Sequence, residues 1–131
     1  MKKTLSIILL PVLGVVIYFM FIRQDELIVR INNSSDKDIS GLQLVTNDDL
    51  LLVDVNTIKA GEEEDFVIEL PENIAEASVN VSYVDKQGNE HNEVILGYVE
   101  KGYVGNGEVS IHSIDENGII KMDIEDETKI F

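Results

Sequence analysis

The chain has 131 residues, with 25 acidic side chains against 10 basic ones, so its formal net charge is −15. This length suits one domain, and an apolar fraction of 44% is too high for a disordered acidic tail. The absence of cysteine excludes disulfides, thiolate metal sites and thiol nucleophiles. The negative charge argues against nucleic acid as a partner, because its phosphates would be repelled.

The first distinct segment is an uncharged run of 19 residues from Thr4 to Ile22, TLSIILLPVLGVVIYFMFI. As a helix it would reach about 28 Å, close to the ~30 Å hydrocarbon thickness of a bilayer. The run therefore predicts one N-terminal transmembrane helix, and we assign residues 1–23 to a signal-anchor. A cleaved signal peptide is the alternative, but cleavage needs small residues after the run, and this run ends in bulky ones.

Basic residues on both sides of this segment bear on its orientation. Lys2 and Lys3 precede the run, and a short basic N-terminus leading into an apolar stretch is what export machinery recognises. Three basic residues also follow the run, namely Arg23, Arg30 and Lys37. The positive-inside rule therefore favours a cytoplasmic N-terminus less strongly. We expect a single-pass protein of the cell membrane, in contact with lipid through residues 4–22, whose C-terminal domain (residues 24–131) is extracytoplasmic.

From Glu26 onward apolar and polar residues alternate, which is typical of half-buried strands. In the first such segment Leu27, Val29 and Ile31 share one face, and a run of Asn and Ser ends it. The same pattern predicts eight strands, at 27–31, 39–46, 51–58, 65–70, 78–84, 93–99, 108–114 and 120–124. Turn-forming residues separate them, and Asn117-Gly118 is the strongest hairpin signal.

Residues 71–76 offer the one candidate helical turn beyond the membrane segment. Seven or eight short strands predict an all-β fold, namely an antiparallel β-sandwich of the immunoglobulin-like kind. We expect polar side chains such as Asn80, Ser82, Ser110 and His112 to form a solvated face opposite the apolar one.

The stretch LIVRINNSSDKDISGLQL, from Leu27 to Leu44, resembles the opening strand pair of immunoglobulin-like or fibronectin-type modules in bacterial cell-envelope proteins. With the anchor included, the chain is similar to small single-span surface proteins of Gram-positive bacteria. The resemblance implies an extracytoplasmic sandwich domain, and it carries over no functional residue.

Gly-Tyr-Val occurs twice, five residues apart, in the stretch GYVEKGYVGNG at residues 97–107. One interpretation is a mobile loop that presents Tyr98, Lys101, Tyr103 and Asn106 to a protein partner, since binding loops favour tyrosine on a flexible backbone. The other is a glycine bulge and hairpin whose rings pack over the sandwich edge.

Acidic clusters occur at residues 48–49, 62–65 and 125–127. Carboxylates on loops could bind Ca²⁺, but no cluster has the spacing of a calcium loop, and we favour solvated surface charge. His91 and His112 lie on different predicted strands without a third ligand, so we interpret them as surface histidines rather than a zinc pair. No metal or cofactor site is assigned.

No nucleophile elbow, paired-histidine zinc motif or thiol nucleophile occurs, so the sequence predicts a non-catalytic protein. We expect a membrane-anchored extracytoplasmic protein-recognition or accessory domain whose partner is a protein, a basic one if charge guides binding. One alternative is an immunity or inhibitor protein that neutralises a basic toxin or enzyme at the membrane surface. Another is a fixed structural subunit of a cell-envelope complex.

Overall fold

The computed structural model describes residues 26–129, and the transmembrane helix predicted at residues 4–22 lies outside them. The described residues form eight strands and no helix. The strands are β1 (Leu27–Asn33), β2 (Gln43–Thr46), β3 (Leu51–Asp54), β4 (Glu63–Ile68), β5 (Ala77–Val84), β6 (Glu90–Val99), β7 (Val104–Ile114) and β8 (Ile120–Lys129). Nowhere from residue 26 to 129 is there a helix with the length and apolar character needed to cross a bilayer.

Each of the eight predicted strands coincides with one observed strand, so the all-β prediction is confirmed. The bounds differ most at β8, which continues to Lys129 rather than ending at 124. One bound differs by four residues at β2, at β3, which ends at Asp54, and at β7, which already begins at Val104. Beyond Asp54 the chain follows another path, where Ile58 forms only an isolated bridge with Ile39. Residues 71–74 form a turn rather than a helical segment, closed by a 3.2 Å hydrogen bond from the Ile74 N–H to the Pro71 carbonyl.

The strands form two four-stranded sheets, in the orders β4-β1-β7-β8 and β3-β2-β5-β6. We call them the first and the second sheet. The predicted apolar face of β1 points into the space between them, since Leu27, Val29 and Ile31 are at most 3% exposed. Buried side chains from both sheets fill the same core, including Val79, Val81, Leu96, Val109 and Ile111. The described residues therefore form a β-sandwich.

One strand pair departs from the antiparallel arrangement predicted. β1 runs parallel to β7, with Leu27 opposite Gly105 and Asn33 opposite Ile111. The first sheet is therefore mixed, and the prediction of a fully antiparallel sandwich is wrong for this pair. The two strands are far apart in sequence, and the turn residues that indicate hairpins between consecutive strands do not report such pairings.

The strand directions give the sandwich two distinct ends. The proximal end holds Glu26, the segment 69–76, the turn 100–103 and the last residue of β8, because Leu27 pairs with Ile68 and Val104 pairs with Lys129. The distal end holds the turns 85–89 and 115–118. These two turns contact each other through a 2.8 Å hydrogen bond from the Lys86 N–H to the Asn117 carbonyl.

A fully buried asparagine holds the loop after β1 at the distal end. Asn33 is 0% exposed, and its Nδ2 donates to the carbonyls of Lys37 at 2.8 Å and Ile58 at 2.9 Å. Its Oδ1 accepts from the N–H and the hydroxyl of Ser35, at 3.1 and 2.6 Å. The amide thus uses both its donors and its acceptor inside the protein, which is the condition for burying it at little cost.

The predicted solvated polar face is only partly present. His112 is exposed on the outer side of the first sheet, but Asn80 and Ser82 on the second sheet are each only 7% exposed. Both lie on β5, an inner strand that has β2 on one side and β6 on the other. Their neighbours on those strands cover them, so the prediction is wrong for these two residues.

Candidate functional site

The turn between β6 and β7 brings two of the predicted binding residues together. The hydroxyls of Tyr98 and Tyr103 both donate to Oε1 of Glu100, each at 3.1 Å, and the ring centroids are 5.7 Å apart. The hydrogen bond to Glu100, together with burial and nearby negative charge, raises the pKa of Tyr98 to about 12. Burial, followed by the same carboxylate, raises the pKa of Tyr103. The two phenols thus stay protonated as donors at neutral pH.

Most of the glycine-rich stretch is strand rather than loop. Residues 97–99 complete β6 in the second sheet and residues 104–107 begin β7 in the first, so the turn 100–103 crosses between the sheets. Lys101 lies in that turn, and its Nζ is 3.3 Å from Oε1 of Glu72. Asn106 lies instead within β7, opposite Ile28 and Glu127. The structure therefore groups Tyr98, Lys101 and Tyr103 at the proximal end and separates Asn106 from them.

Asn106 belongs to the outer face of the first sheet, which is strongly acidic. This acidic face consists of the side chains at alternate positions of each strand, on the side that faces away from the second sheet. Its carboxylates are Glu63, Asp65, Glu108, Asp123, Glu125 and Glu127. Among the side chains that the structure describes, the cations on the same side are Arg30 and Lys121, so six negative charges face two positive ones there, a formal balance of −4.

One row of side chains crosses all four strands of the acidic face. Arg30 lies between Asp65 on β4 and Glu108 on β7, and Glu108 lies opposite Glu125 on β8. The guanidinium donates to both oxygens of Asp65, from Nε to Oδ1 at 2.7 Å and from Nη2 to Oδ2 at 3.2 Å. This ion pair raises the pKa of Arg30 above its usual range. Arg30 is thus already paired with Asp65. Glu108 and Glu125, in contrast, are like charges at directly opposite positions, and such a pair destabilises a sheet.

The row also borders a shallow depression of about 220 Å³ on the acidic face. Its lining residues are Ile28, Arg30, Asp65, Asn106, Gly107, Glu108, Glu125 and Glu127. The apolar floor at Ile28 and the carboxylate rim together suit a long cationic side chain, whose methylenes pack while its charge meets the carboxylates.

The two histidines lie on different sheets, and each contacts its own aspartate. His112 Nε2 is 2.6 Å from Oδ2 of Asp123 on the acidic face. His91 is no simple surface residue, because its ring stacks on Tyr83 at a centroid distance of 4.8 Å and its Nε2 is 2.8 Å from Oδ2 of Asp85. Hydrogen bonds from His91 and from the N–H groups of Asn89 and Gln87 hold the pKa of Asp85 below its usual value. These contacts connect β6 to the distal turn.

The acidic clusters seen in the sequence occupy separate parts of the sandwich. Residues 48–49 lie in the β2–β3 turn, residues 63–65 begin β4, and residues 125–127 lie within β8. Glu125 and Glu127 belong to the acidic face, whereas Oδ2 of Asp126 accepts a 3.4 Å hydrogen bond from the Gly97 N–H. In the part of the chain that the structure describes, no three His, Asp or Glu side chains are arranged to hold a metal ion.

Sequence reasoning did not identify Arg30, Glu108, Glu125 and Glu127 as one surface. A signal was present in β8, where Asp123 and Glu125 alternate with the apolar residues Met122 and Ile124 and so share one face. Arg30 lies beside Glu108 because β1 pairs in parallel with β7, and no local sequence pattern predicts that pairing.

Comparison with known proteins gives a partial structural similarity and no family. No protein-family model matches the chain, and no curated protein matches it. A solved structure described as "NMR structure of the protein from Eubacterium rectale" is 20% identical, with a TM-score of 0.48. The similarity covers 77% of this chain and 89% of that one. No function is transferred at this level of likeness.

Proposed function

We propose that the chain is a non-catalytic protein-recognition domain that binds a basic partner through the acidic face. The observation that carries the proposal is the cross-strand pairing of Glu108 with Glu125, flanked by Glu127. Like charges at these positions weaken the strand pairing, and a cationic partner would relieve their repulsion on binding. The depression beside Arg30 gives one basic side chain of such a partner a place to insert.

We further propose that residues 4–22 hold an immunoglobulin-like domain at the outer face of the membrane. The described domain begins at Glu26, at the proximal end, and the strands of the acidic face run from that end to the distal one. On this proposal, a partner approaches the side of the domain. The membrane then restricts it to proteins that lie at the cell surface or in the envelope.

The acidic face also supports a second candidate, an immunity or inhibitor protein that covers the basic surface of a toxin or enzyme. In that case the bound partner loses its activity, and a toxin gene neighbours the gene for this chain. A fixed subunit of an envelope complex is the third candidate. Unlike the first two candidates, such a subunit would bind mainly through apolar contacts, so its complex is expected to be insensitive to salt.

The test is photo-crosslinking in intact cells from a probe at position 106 on the acidic face, with a probe at position 92 on the outer side of the second sheet as control. We expect position 106 to capture a basic protein, and we expect recovery of that complex to fall steeply from about 0.05 to about 0.5 M salt. Replacing Glu108, Glu125 and Glu127 by Gln should weaken the complex by at least about tenfold.

The matched control replaces three exposed glutamates at the proximal end, Glu69, Glu72 and Glu76, by Gln and so changes the net charge equally. Binding should change far less in this control than in the acidic-face variant. Equal weakening by both triple variants would contradict a specific acidic-face site. Hydrolysis of a cell-wall or peptide substrate by the full-length chain would contradict the non-catalytic role.

A further inference from the structure

The acidic face ends on one side at β8, which is the last strand of the first sheet in the order β4-β1-β7-β8. Among the described residues β8 pairs with β7 only, and its ten residues include neither proline nor glycine. Edge strands are commonly kept short, bulged or interrupted by proline, because their free backbone groups can pair with another chain. β8 instead provides a long, regular edge.

The hydrogen bonds of β7 show which backbone groups of β8 lie at this edge. The Ile111 carbonyl accepts a 2.9 Å hydrogen bond from the Ser34 N–H on the β1 side. Successive residues of a strand point their backbone groups to opposite sides, so the even-numbered residues of β7 up to 110 turn toward β8. They lie opposite odd-numbered residues of β8, such as Glu125, which use their backbone groups in this pairing. The residues of β8 that point their N–H and carbonyl groups to the edge are therefore Met122, Ile124 and Asp126.

The second sheet does not pair with this edge. β6 lies across from β8, but the two strands belong to different sheets, and no backbone pairing joins them among the described residues. Their hydrogen bond uses a side chain, since the Gly97 N–H donates to Oδ2 of Asp126 at 3.4 Å. The main chain of β8 thus has six backbone groups, two from each of the three residues, that the described strands leave unpaired.

A row of carboxylates runs beside this edge on the acidic face. Asp123, Glu125 and Glu127 occupy successive outer positions of β8, about 7 Å apart. Asp123 contacts His112, at 2.6 Å, whereas Glu125 faces the like charge of Glu108 across the strand pair. Glu125 and Glu127 also line the depression. The edge therefore combines unpaired backbone groups with a row of negative charge that continues into the proposed site.

We infer that the partner binds through an extended basic segment, which adds to β8 as a fifth strand of the first sheet and carries lysine or arginine at alternate positions. This inference rests on the proposed function, since it specifies how a basic partner engages the acidic face. An added strand repeats its side chains at the spacing of β8, so three alternate cations face the three carboxylates at once. Its main chain meanwhile hydrogen-bonds to the unpaired backbone groups of β8.

The charge of the row selects this occupant over a second copy of the chain. β8 of another copy would place carboxylates opposite carboxylates, and like charges at opposite positions destabilise a sheet. The row therefore opposes self-pairing at this edge, and it attracts a cationic strand for the same reason. A cation beside Glu125 would also offset its repulsion from Glu108.

The test uses the full chain in a mild non-ionic detergent and three synthetic peptides of equal charge. The parent is the acetylated and amidated peptide Lys-Thr-Lys-Val-Lys-Thr. One variant carries N-methyl groups on its three lysines, and the other carries them on the three intervening residues. Only one of these two alternate sets of N–H groups can face β8 while the lysines face the carboxylates. By calorimetry at about 0.05 M salt, we expect one methylated peptide to bind like the parent and the other at least about tenfold more weakly.

Amide hydrogen exchange, followed by NMR, locates the added strand. The parent peptide should slow exchange of the N–H groups of Met122, Ile124 and Asp126 at least about fivefold, because they become hydrogen-bonded. The N–H of Val67 is the control, since it lies in β4, at the other edge of the same sheet. Its exchange should be unchanged.

Three results would each overturn the inference: equal affinity of the two methylated peptides, no binding of the parent, or unchanged exchange at all three residues of β8. The first of these leaves the proposed function standing if the acidic-face variant still binds the peptides more weakly than the wild type does. Binding would then depend on charge without strand addition, so failure of the inference is distinguishable from failure of the proposed function.

Discussion

The backbone of Gly107 in β7 lies directly against the side chain of Ile95 in β6 across the core. A Cβ atom at position 107 would be 2.5 Å from Cγ2 of Ile95 and 3.1 Å from Cδ2 of Leu96. Ile95 is 1% exposed and branched at Cβ, so its methyl group has little freedom to move away. The glycine is therefore what allows the two sheets to approach this closely.

We expect Gly107→Ala to destabilise the protein by about 1–3 kcal/mol, because an extra methyl group overpacks the core. Urea unfolding followed by circular dichroism measures the free energy of unfolding. Gly97→Ala is the matched control, since a Cβ at that strand position has nothing within 4 Å. It should leave stability unchanged or slightly higher. Equal stability of the two variants would show that the sheets can move apart at this point.

The buried amide of Asn33 gives a second prediction. Asn33→Ala removes the acceptor of the Ser35 N–H and leaves a small cavity, so we expect a loss of about 2–3 kcal/mol. Asn32→Ala, one residue earlier on the outer side of β1, should cost less than about 0.5 kcal/mol. The same unfolding measurement compares the two. A cost at position 32 equal to that at position 33 would contradict the role assigned to the buried hydrogen bonds.

The distal turn should respond to acid through Asp85. Because the folded state lowers the pKa of this carboxyl, its stabilising effect is present above the ordinary Asp pKa and is lost as pH falls through the folded value. The difference in unfolding free energy between the wild type and Asp85→Asn should therefore be largest near neutral pH and shrink in acid. Urea titrations at several pH values measure it.

Two variants serve as controls for the acid response. Asp54→Asn removes one negative charge from an exposed position in β3 and corrects for the change in net charge. His91→Phe keeps an aromatic ring beside Tyr83 but removes the hydrogen bond to Asp85, so it should weaken the pH dependence. A difference in unfolding free energy between the wild type and D85N that stays constant with pH would contradict this account.

The tyrosine pair at the proximal end predicts a spectroscopic result. The absorbance difference between the wild type and Tyr98→Phe should titrate at about 12, because Glu100 stabilises the protonated phenol. Replacing Glu100 by Gln should bring the pKa of Tyr98 down toward the ordinary value of about 10. Glu72→Gln is the control, since Glu72 contacts Lys101 in the same region. A Tyr98 pKa near 10 in the wild type would rule out the shared hydrogen-bond acceptor.

Local patterns were sufficient to predict the strands. Alternation placed Leu27, Val29 and Ile31 on one face of β1, and the structure buries all three. Turn residues such as Asn117-Gly118 indicated where one strand ends and the next begins. The two-sheet sandwich followed from the number and spacing of the strands, because short half-apolar strands must bury one face against another sheet.

Relationships between distant segments could not be predicted in the same way. The parallel pairing of β1 with β7 depends on contacts across most of the chain, and it alone brings Arg30 beside Glu108. The polar run around Asn33 predicts a turn residue there, and nothing in that run indicates that the Asn33 side chain is buried against the carbonyls of Lys37 and Ile58. The sequence predicts Gly107 in a bulge or loop, whereas the structure requires a glycine there because a Cβ atom would collide with Ile95 in the opposite sheet.

The predicted binding residues were separated for a related reason. Tyr98, Lys101, Tyr103 and Asn106 are close in sequence, but the chain crosses from the second sheet to the first between them. Asn106 therefore lies with the acidic face, and Tyr98 lies on the outer side of the second sheet. Their role in binding a partner stays a prediction.

The positions of the strand ends allow the orientation of the domain to be measured with two labels. Glu26 and the end of β8 are separated by the width of one intervening strand, about 10 Å, whereas the turn around Gln87 is a strand length away, about 27 Å. A fluorescent label at the end of β8 would report the distance of the proximal end, where Glu26 lies, from the surface that holds the domain. A label in the turn at Gln87 would report whether the domain stands upright or lies flat on the surface that holds it.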